Sequence, residues 1–174
     1  ARAPWICVWD DHETANDAWL HGAENHTPAT EGDWEGRKAQ ALRAYYEWMP
    51  LREPAAGGLA SAIDRSFRFG DVAELFMVET RLTARSQQLD YGHMPMRSVD
   101  GREVPDFEAF ARLRNAPDRQ LLGPAQEAWL AQGLKASRQS GCTWQLLGNQ
   151  VVMGQVKGPD LKAALPPADF AAML

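Results

Sequence analysis

The residues best suited to chemistry lie near the start of the chain, in Trp9-Asp10-Asp11-His12-Glu13, with Asn16 following four residues after the imidazole. Three carboxylates and a histidine follow the apolar run Pro4-Trp5-Ile6-Cys7-Val8-Trp9 without a break. A buried strand ending this way would bring hard oxygen donors and a proton-carrying ring to its carboxyl end, where open α/β sheets usually bind ligands. A carboxylate such as Asp11 suits a divalent or trivalent cation. An adjacent His12 can protonate a leaving oxygen or stabilise charge on a transferring phosphoryl group. Metal-assisted hydrolysis is the chemistry this run supports. A two-metal site, with cations about 3.5–4 Å apart, needs more ligands than the one or two available here. The competing expectation is a solvated loop start, since charge normally lies in loops.

Other motifs are excluded or unremarkable. Counted from Asp10 or Asp11, no Gly falls at the sixth position of an EF-hand loop and no Glu at the twelfth. The chain has no His-Glu-x-x-His, no Gly-x-Ser-x-Gly and no phosphate-cradling glycine loop. Asn25-His26-Thr27 fits a glycosylation sequon, a pattern short enough to be common by chance. His21 and His26 lie in a long polar stretch, where solvation is the default and contact with substrate the functional alternative. His93 beside Gly92 reads as a turn residue. Glu79 and Arg81 read as a buried ion pair at a strand end, fixed by geometry, since surface attraction contributes little.

The bulk properties bound the answer. The 174 residues match one ordinary domain, and 45% apolar content is enough to bury a core. A net charge of −5 argues against nucleic-acid binding by basic steering. No run of about 18 apolar residues spans a membrane, and the first residues do not resemble a signal peptide. Cys7 and Cys142 are too few for a disulfide framework or a zinc quartet; two buried free thiols are the plain expectation and a disulfide the alternative.

The elements that must position the motif follow in order. Residues 4–9 read as a strand buried on both faces. Residues 10–33 form a polar connection long enough to be functional or disordered. Asp33 is the expected N-cap of a helix from about Trp34 to Met49, ended by Pro50. Its Tyr45, Tyr46 and Trp48 read as core packing. Pro54 to Gly58 is a loop. Ile63, Phe67 and Phe69 alternate as a half-buried strand, Gly70-Asp71 suits a two-residue hairpin turn, and Val72 to Val78 returns as a central strand. Residues 82–105 read as irregular. A short helix is expected over Asp106 to Asn115, and another from Pro124 to about Arg138, weakened by Gly133 and stopped at Gly141. Thr143 to Met153 reads as a strand broken near Gly148-Asn149, followed by loop and a short helical end. This order indicates an α/β or α+β fold with a mixed sheet.

Trp9-Asp10-Asp11-His12-Glu13, Ala15-Asn16 and Gly22-Ala23-Glu24-Asn25-His26 together resemble the signature of bacterial alkaline phosphatase D proteins, of the calcineurin-like metallophosphatase superfamily. The resemblance continues through Glu31-Gly32-Asp33-Trp34, Ala44-Tyr45-Tyr46-Glu47-Trp48-Met49-Pro50 and Arg65-Ser66-Phe67-Arg68-Phe69-Gly70. It resumes at Glu79-Thr80-Arg81-Leu82-Thr83 and at Leu122-Gly123-Pro124-Ala125-Gln126-Glu127-Ala128-Trp129-Leu130. It implies a β-sandwich flanked by helices and a metal-dependent phosphodiesterase or phosphomonoesterase acting on a small phosphoester. By the same resemblance Asp11 binds a metal, His12 is the catalytic histidine and Asn16 assists at the metal or the substrate. The cations implied are calcium and ferric iron, and the location periplasmic or secreted. Two departures stand out. Glu79 replaces the Asp usual before Thr-Arg. The earlier Gly-Asp motif, with its tyrosine and upstream Cys ligand, and the later Asp-x-His ligands are missing, so the chain reads as the central part of one catalytic domain. The expectations are therefore an inactive central piece of a phosphatase, a non-catalytic α/β module that kept the scaffold, or a protein that binds metal or phosphate without turnover.

Overall fold

The computed structural model describes residues 3, 5–54, 63–154 and 161–168. Pro4, most of the expected 54–58 loop and residues 155–160 lie outside the described residues. The chain is a mixed α/β structure, as its pattern of periodicities predicts. A four-residue helix α1 (Pro28–Glu31) precedes α2 (Trp34–Trp48). Next come β1 (Arg65–Phe69) and β2 (Ala73–Met77), then the hairpin β3 (Met96–Val99) and β4 (Arg102–Pro105). The helices α3 (Phe107–Arg114) and α4 (Pro124–Gln139), the strand β5 (Trp144–Gly148) and the short α5 (Leu161–Ala164) complete the order.

The three-stranded sheet runs β1-β2-β5, with β2 antiparallel to β1 and parallel to β5. The turn between β1 and β2 holds three residues, not two: Phe69 pairs with Ala73, and Gly70 takes φ of 61°, which suits a residue without a Cβ. Helix α4 lies against β2. Its Trp129 ring meets Phe76 edge-on at 6.0 Å. Gly133 is the close-approach point, since a Cβ there would sit 2.5 Å from Phe76. The glycine that weakens the helix is thus the one that lets it reach the sheet.

The expected helix boundaries hold because their caps form. The Asp33 side chain accepts from the Gly36 N–H, and that of Asp106 from the Ala109 N–H. Gly141 follows α4 with φ of 79°. Within α2, Tyr45 is buried and Tyr46 partly so, but Trp48 is 86% exposed and takes no part in the core. The 82–105 segment is not wholly irregular: β3 and β4 pair through Asp100 and Gly101, whose φ values of 51° and 76° fit a tight hairpin turn.

The largest departure concerns residues 5–9, which form no strand. Among the described residues no neighbouring strand gives them a ladder of hydrogen bonds. They are held instead by side chains. Trp9 is fully buried, with Tyr45 and Tyr46 edge-on to its ring at 5.4 and 6.2 Å, and Arg65 donates to the carbonyl of Cys7. Trp9, Ala15, Ala18, Trp34, Leu42, Tyr45, Ile63 and Leu82 share one core cluster. Both cysteines are free thiols, Cys142 buried and Cys7 partly buried.

Candidate active site

Glu79 fixes where the motif sits. It is the second residue past the end of β2, after Val78, and is fully buried. One carboxylate oxygen accepts from the Trp9 indole at 2.9 Å and from the backbone of Arg81 and Leu82, each at 2.8 Å. The other accepts from the Thr83 N–H at 2.9 Å and from its hydroxyl. The carboxamide of Gln126, from α4, pairs with the Glu79 backbone in both directions at 2.7 and 2.8 Å. Glu79 is therefore not the ion-pair partner of the Arg81 side chain. It ties the Trp9 segment, the loop after β2 and α4 to one point.

Arg81 faces the other way. Its guanidinium pairs with Asp10 at 2.6 Å and Asp17 at 3.3 Å, with Asp11 at 4.0 Å. Asp10 and Asp11 thus lie near the carboxyl end of the parallel pair β2–β5, brought there by a loop and not by the strand expected over residues 4–9. No local pattern links Arg81 to the Asp10–Asp17 loop, since the partners are far apart along the chain.

Asp11 is nearly enclosed. Its two oxygens accept the backbone N–H groups of His12 at 3.0 Å and Asp17 at 2.8 Å. Burial works to raise its pKa, but the Asp17 N–H and the Arg81 charge outweigh burial and hold it below the usual carboxylate range. His12 is exposed. Its Nε2 lies 3.0 Å from Asn16 Oδ1, and the Asn16 amide nitrogen donates to Glu24. A carboxylate only accepts, so Glu24 fixes which end of the amide faces it. The oxygen that remains obliges His12 Nε2 to carry the hydrogen. Nδ1, with no partner among the described residues, is left for chemistry. The three predicted site residues are thus brought together, and Glu24 joins them unforeseen.

The other histidines divide. His21 is exposed, and His93 closes a single 3₁₀ turn (Tyr91–His93) against Asp90 at 2.7 Å. His26, expected in solvent, is buried against the Trp34 ring at 5.3 Å, with Nδ1 3.3 Å from Arg37. The first turn of α2 folds over it.

Among the described residues, no three His, Cys, Asp or Glu side chains converge as a metal site would require. Asp11 offers one carboxylate already engaged by two N–H groups. These residues alone do not fit a metal ion.

A model of the PhoD-like phosphatase family matches residues 1–170. The chain belongs to the PhoD-like phosphatase family. Alkaline phosphatase D of Bacillus subtilis (strain 168) is 33% identical over 155 residues, which cover 87% of this chain and 23% of that protein. A solved structure described as "Structure of PhoD" matches with a TM-score of 0.62 at 29% identity, over 87% of this chain and 26% of that one. The chain thus spans about a quarter of the length of the relatives it matches. PhoD-like phosphatases as a family are phosphoester hydrolases, and the mixed α/β fold agrees with the PhoD match.

Proposed function

We propose that the chain is the central part of one metallophosphatase catalytic domain, of alkaline phosphatase D type, hydrolysing phosphomonoesters or phosphodiesters. The observation that carries this reading is the Asp11–His12–Asn16 constellation at the carboxyl end of β2–β5, within a family match running nearly end to end. In this reading His12 is the catalytic residue. Asn16 holds the Nε2–H; in the imidazolium form, protonated on both nitrogens, Nδ1–H stabilises charge on the phosphoryl group or passes its proton to the leaving oxygen, which leaves the neutral Nε2–H tautomer. Asp11 and Asn16 would hold a metal only together with further ligands that the described residues do not supply, and calcium and ferric iron are the cations the family resemblance suggests. A periplasmic or secreted location belongs to the same proposal.

The test is hydrolysis of an aryl phosphate and an aryl phosphodiester in the presence of calcium and iron. The 174-residue chain alone is expected to show negligible turnover. A longer protein carrying these residues is expected to turn over, and His12→Ala in it to lose roughly 10²–10⁴-fold. Robust turnover by the chain alone, or an active His12→Ala variant, overturns the assignment. A second reading, a non-catalytic scaffold, is favoured by Asp11, whose oxygens both hold backbone N–H groups as a turn residue's would. It predicts no hydrolysis in the longer protein either.

A further inference from the structure

A cleft of about 450 Å³ outside the Asp11–His12–Asn16 group is lined by Arg85, Arg114 and Arg119 and by the aromatic rings of Tyr91 and Phe110. The two rings stack with centroids 5.1 Å apart. No carboxylate lines this cleft among the described residues. In a chain of net charge −5 it is a local concentration of positive charge.

The guanidinium groups are poorly satisfied. Nη1 of Arg85 is buried with no hydrogen-bond partner among the described residues. Asp17, Asp11 and Asp10, the acids in electrostatic reach of Arg85, already face the Arg81 guanidinium. Arg119 donates one N–H to the carbonyl of Gln87 at 2.7 Å, leaving its others available. Arg114 has no hydrogen bond or ion pair among the described residues. An unpaired buried donor carries a desolvation penalty that an anion would relieve. Guanidinium groups fit the paired oxygens of a phosphate better than any other side chain does.

We propose that this cleft binds a phosphorylated organic anion, its phosphate held by Arg85, Arg114 and Arg119 and its apolar part resting on Tyr91 and Phe110. The site shares no residue with Asp11, His12 or Asn16, so it stands whether or not those residues hydrolyse anything.

The probe is phenylphosphonate, which carries the dianion and the ring but has no ester bond to cleave. Calorimetric titration of the protein at low salt, with chelator present, is expected to give saturable binding. Added salt should weaken it, and methylphosphonate should bind more weakly because it lacks the ring. Arg114→Gln, at an exposed position, with Arg119→Gln, at a half-buried one, should weaken binding by about tenfold or more, while His12→Ala should leave it unchanged. Absence of binding, or binding that survives the double arginine change, overturns the proposal. Binding lost in His12→Ala would place the anion at the candidate active site and would also overturn it.

Discussion

The loop after β2 and β5, an edge strand among the described residues, belong to the same small sheet, and they differ in how completely the described residues satisfy them. At Glu79 both oxygens are occupied, the side chain is fully buried, and Trp9, Thr83 and Gln126 close around it. Along β5, Leu146 and Leu147 are 46% and 44% exposed. Successive strand residues point to opposite faces, so each face of β5 is only partly covered at that point. Parallel pairing, as between β5 and β2, normally goes with burial on both faces. The part of the chain that positions Asp11 and His12 is thus closed within itself. The sheet that supports it has an unfinished side.

The sharpest way to break that comparison is at Glu79. Glu79→Ala removes the acceptor for the Trp9 indole, three backbone N–H groups and the Thr83 hydroxyl. Leaving two or three of these donors unsatisfied is expected to cost roughly 3–5 kcal/mol, read as a lower denaturation midpoint. Trp9→Phe deletes the indole donor along with part of a fully buried ring; a double-mutant cycle with Glu79→Ala removes the packing loss common to both backgrounds and should give a coupling of about 1 kcal/mol. A Glu79→Ala loss below about 1 kcal/mol would mean that the junction is not what holds the motif in place.

Gly133→Ala tests the one face of the sheet that is covered. Helix propensity favours alanine by roughly 1 kcal/mol. The new Cβ, however, would lie 2.5 Å from the Phe76 ring, which is almost completely buried and cannot move away freely. Overpacking of this kind costs about 1–3 kcal/mol, so a net loss of about 1 kcal/mol is expected in thermal or denaturant unfolding. A gain in stability would show that α4 sits less tightly on β2 than its contacts indicate.

The elements legible in the sequence are those whose signals are local. Asp33, Asp106 and Gly141 mark helix ends through their own side chain or their own φ. The alternation of Phe67 and Phe69 reports β1 directly, whereas Ile63, expected in the same strand, lies before it and packs into the core cluster with Trp9. The β3–β4 hairpin was hidden because nearly every residue of it is exposed, so no apolar alternation marks it; only Asp100-Gly101 announces the turn. Residues 5–9 mislead for the opposite reason: an apolar run long enough for a strand is buried through Trp9 without any ladder. Within the site, Asp11, His12 and Asn16 lie within six residues of one another and could be read together. The Glu79–Trp9 bond spans 70 residues and the Arg81–Asp10 bond 71. Pairings that distant exist only once the chain has folded.

Acid titration measures the closed side more gently. Asp11 has its pKa held below the unfolded value of about 3.9, because the Asp17 N–H and Arg81 outweigh the effect of burial. A depressed carboxylate pKa stabilises the fold fully above the unfolded pKa, and that contribution disappears as pH falls through the lower folded value. Wild type should therefore lose more Tm between about pH 5 and pH 2 than Asp11→Asn does, with chelator present throughout. Parallel curves for the two proteins would show that Asp11 is no better held folded than unfolded.

The smallest effect on stability is expected on the open side, where the change appears in association instead. An exposed strand edge with apolar residues on both faces is a template for pairing with another chain. Trp144, at 63% exposure, begins that edge. The protein should show concentration-dependent self-association in sedimentation experiments. Leu147→Lys places a charge on one face of β5 and should suppress that association, while changing the unfolding free energy by about 0.5 kcal/mol or less, as exposed substitutions usually do. If association persists, the contact lies elsewhere. If Leu147→Lys costs several kcal/mol, something already covers β5, and the contrast between a finished and an unfinished side of the sheet fails.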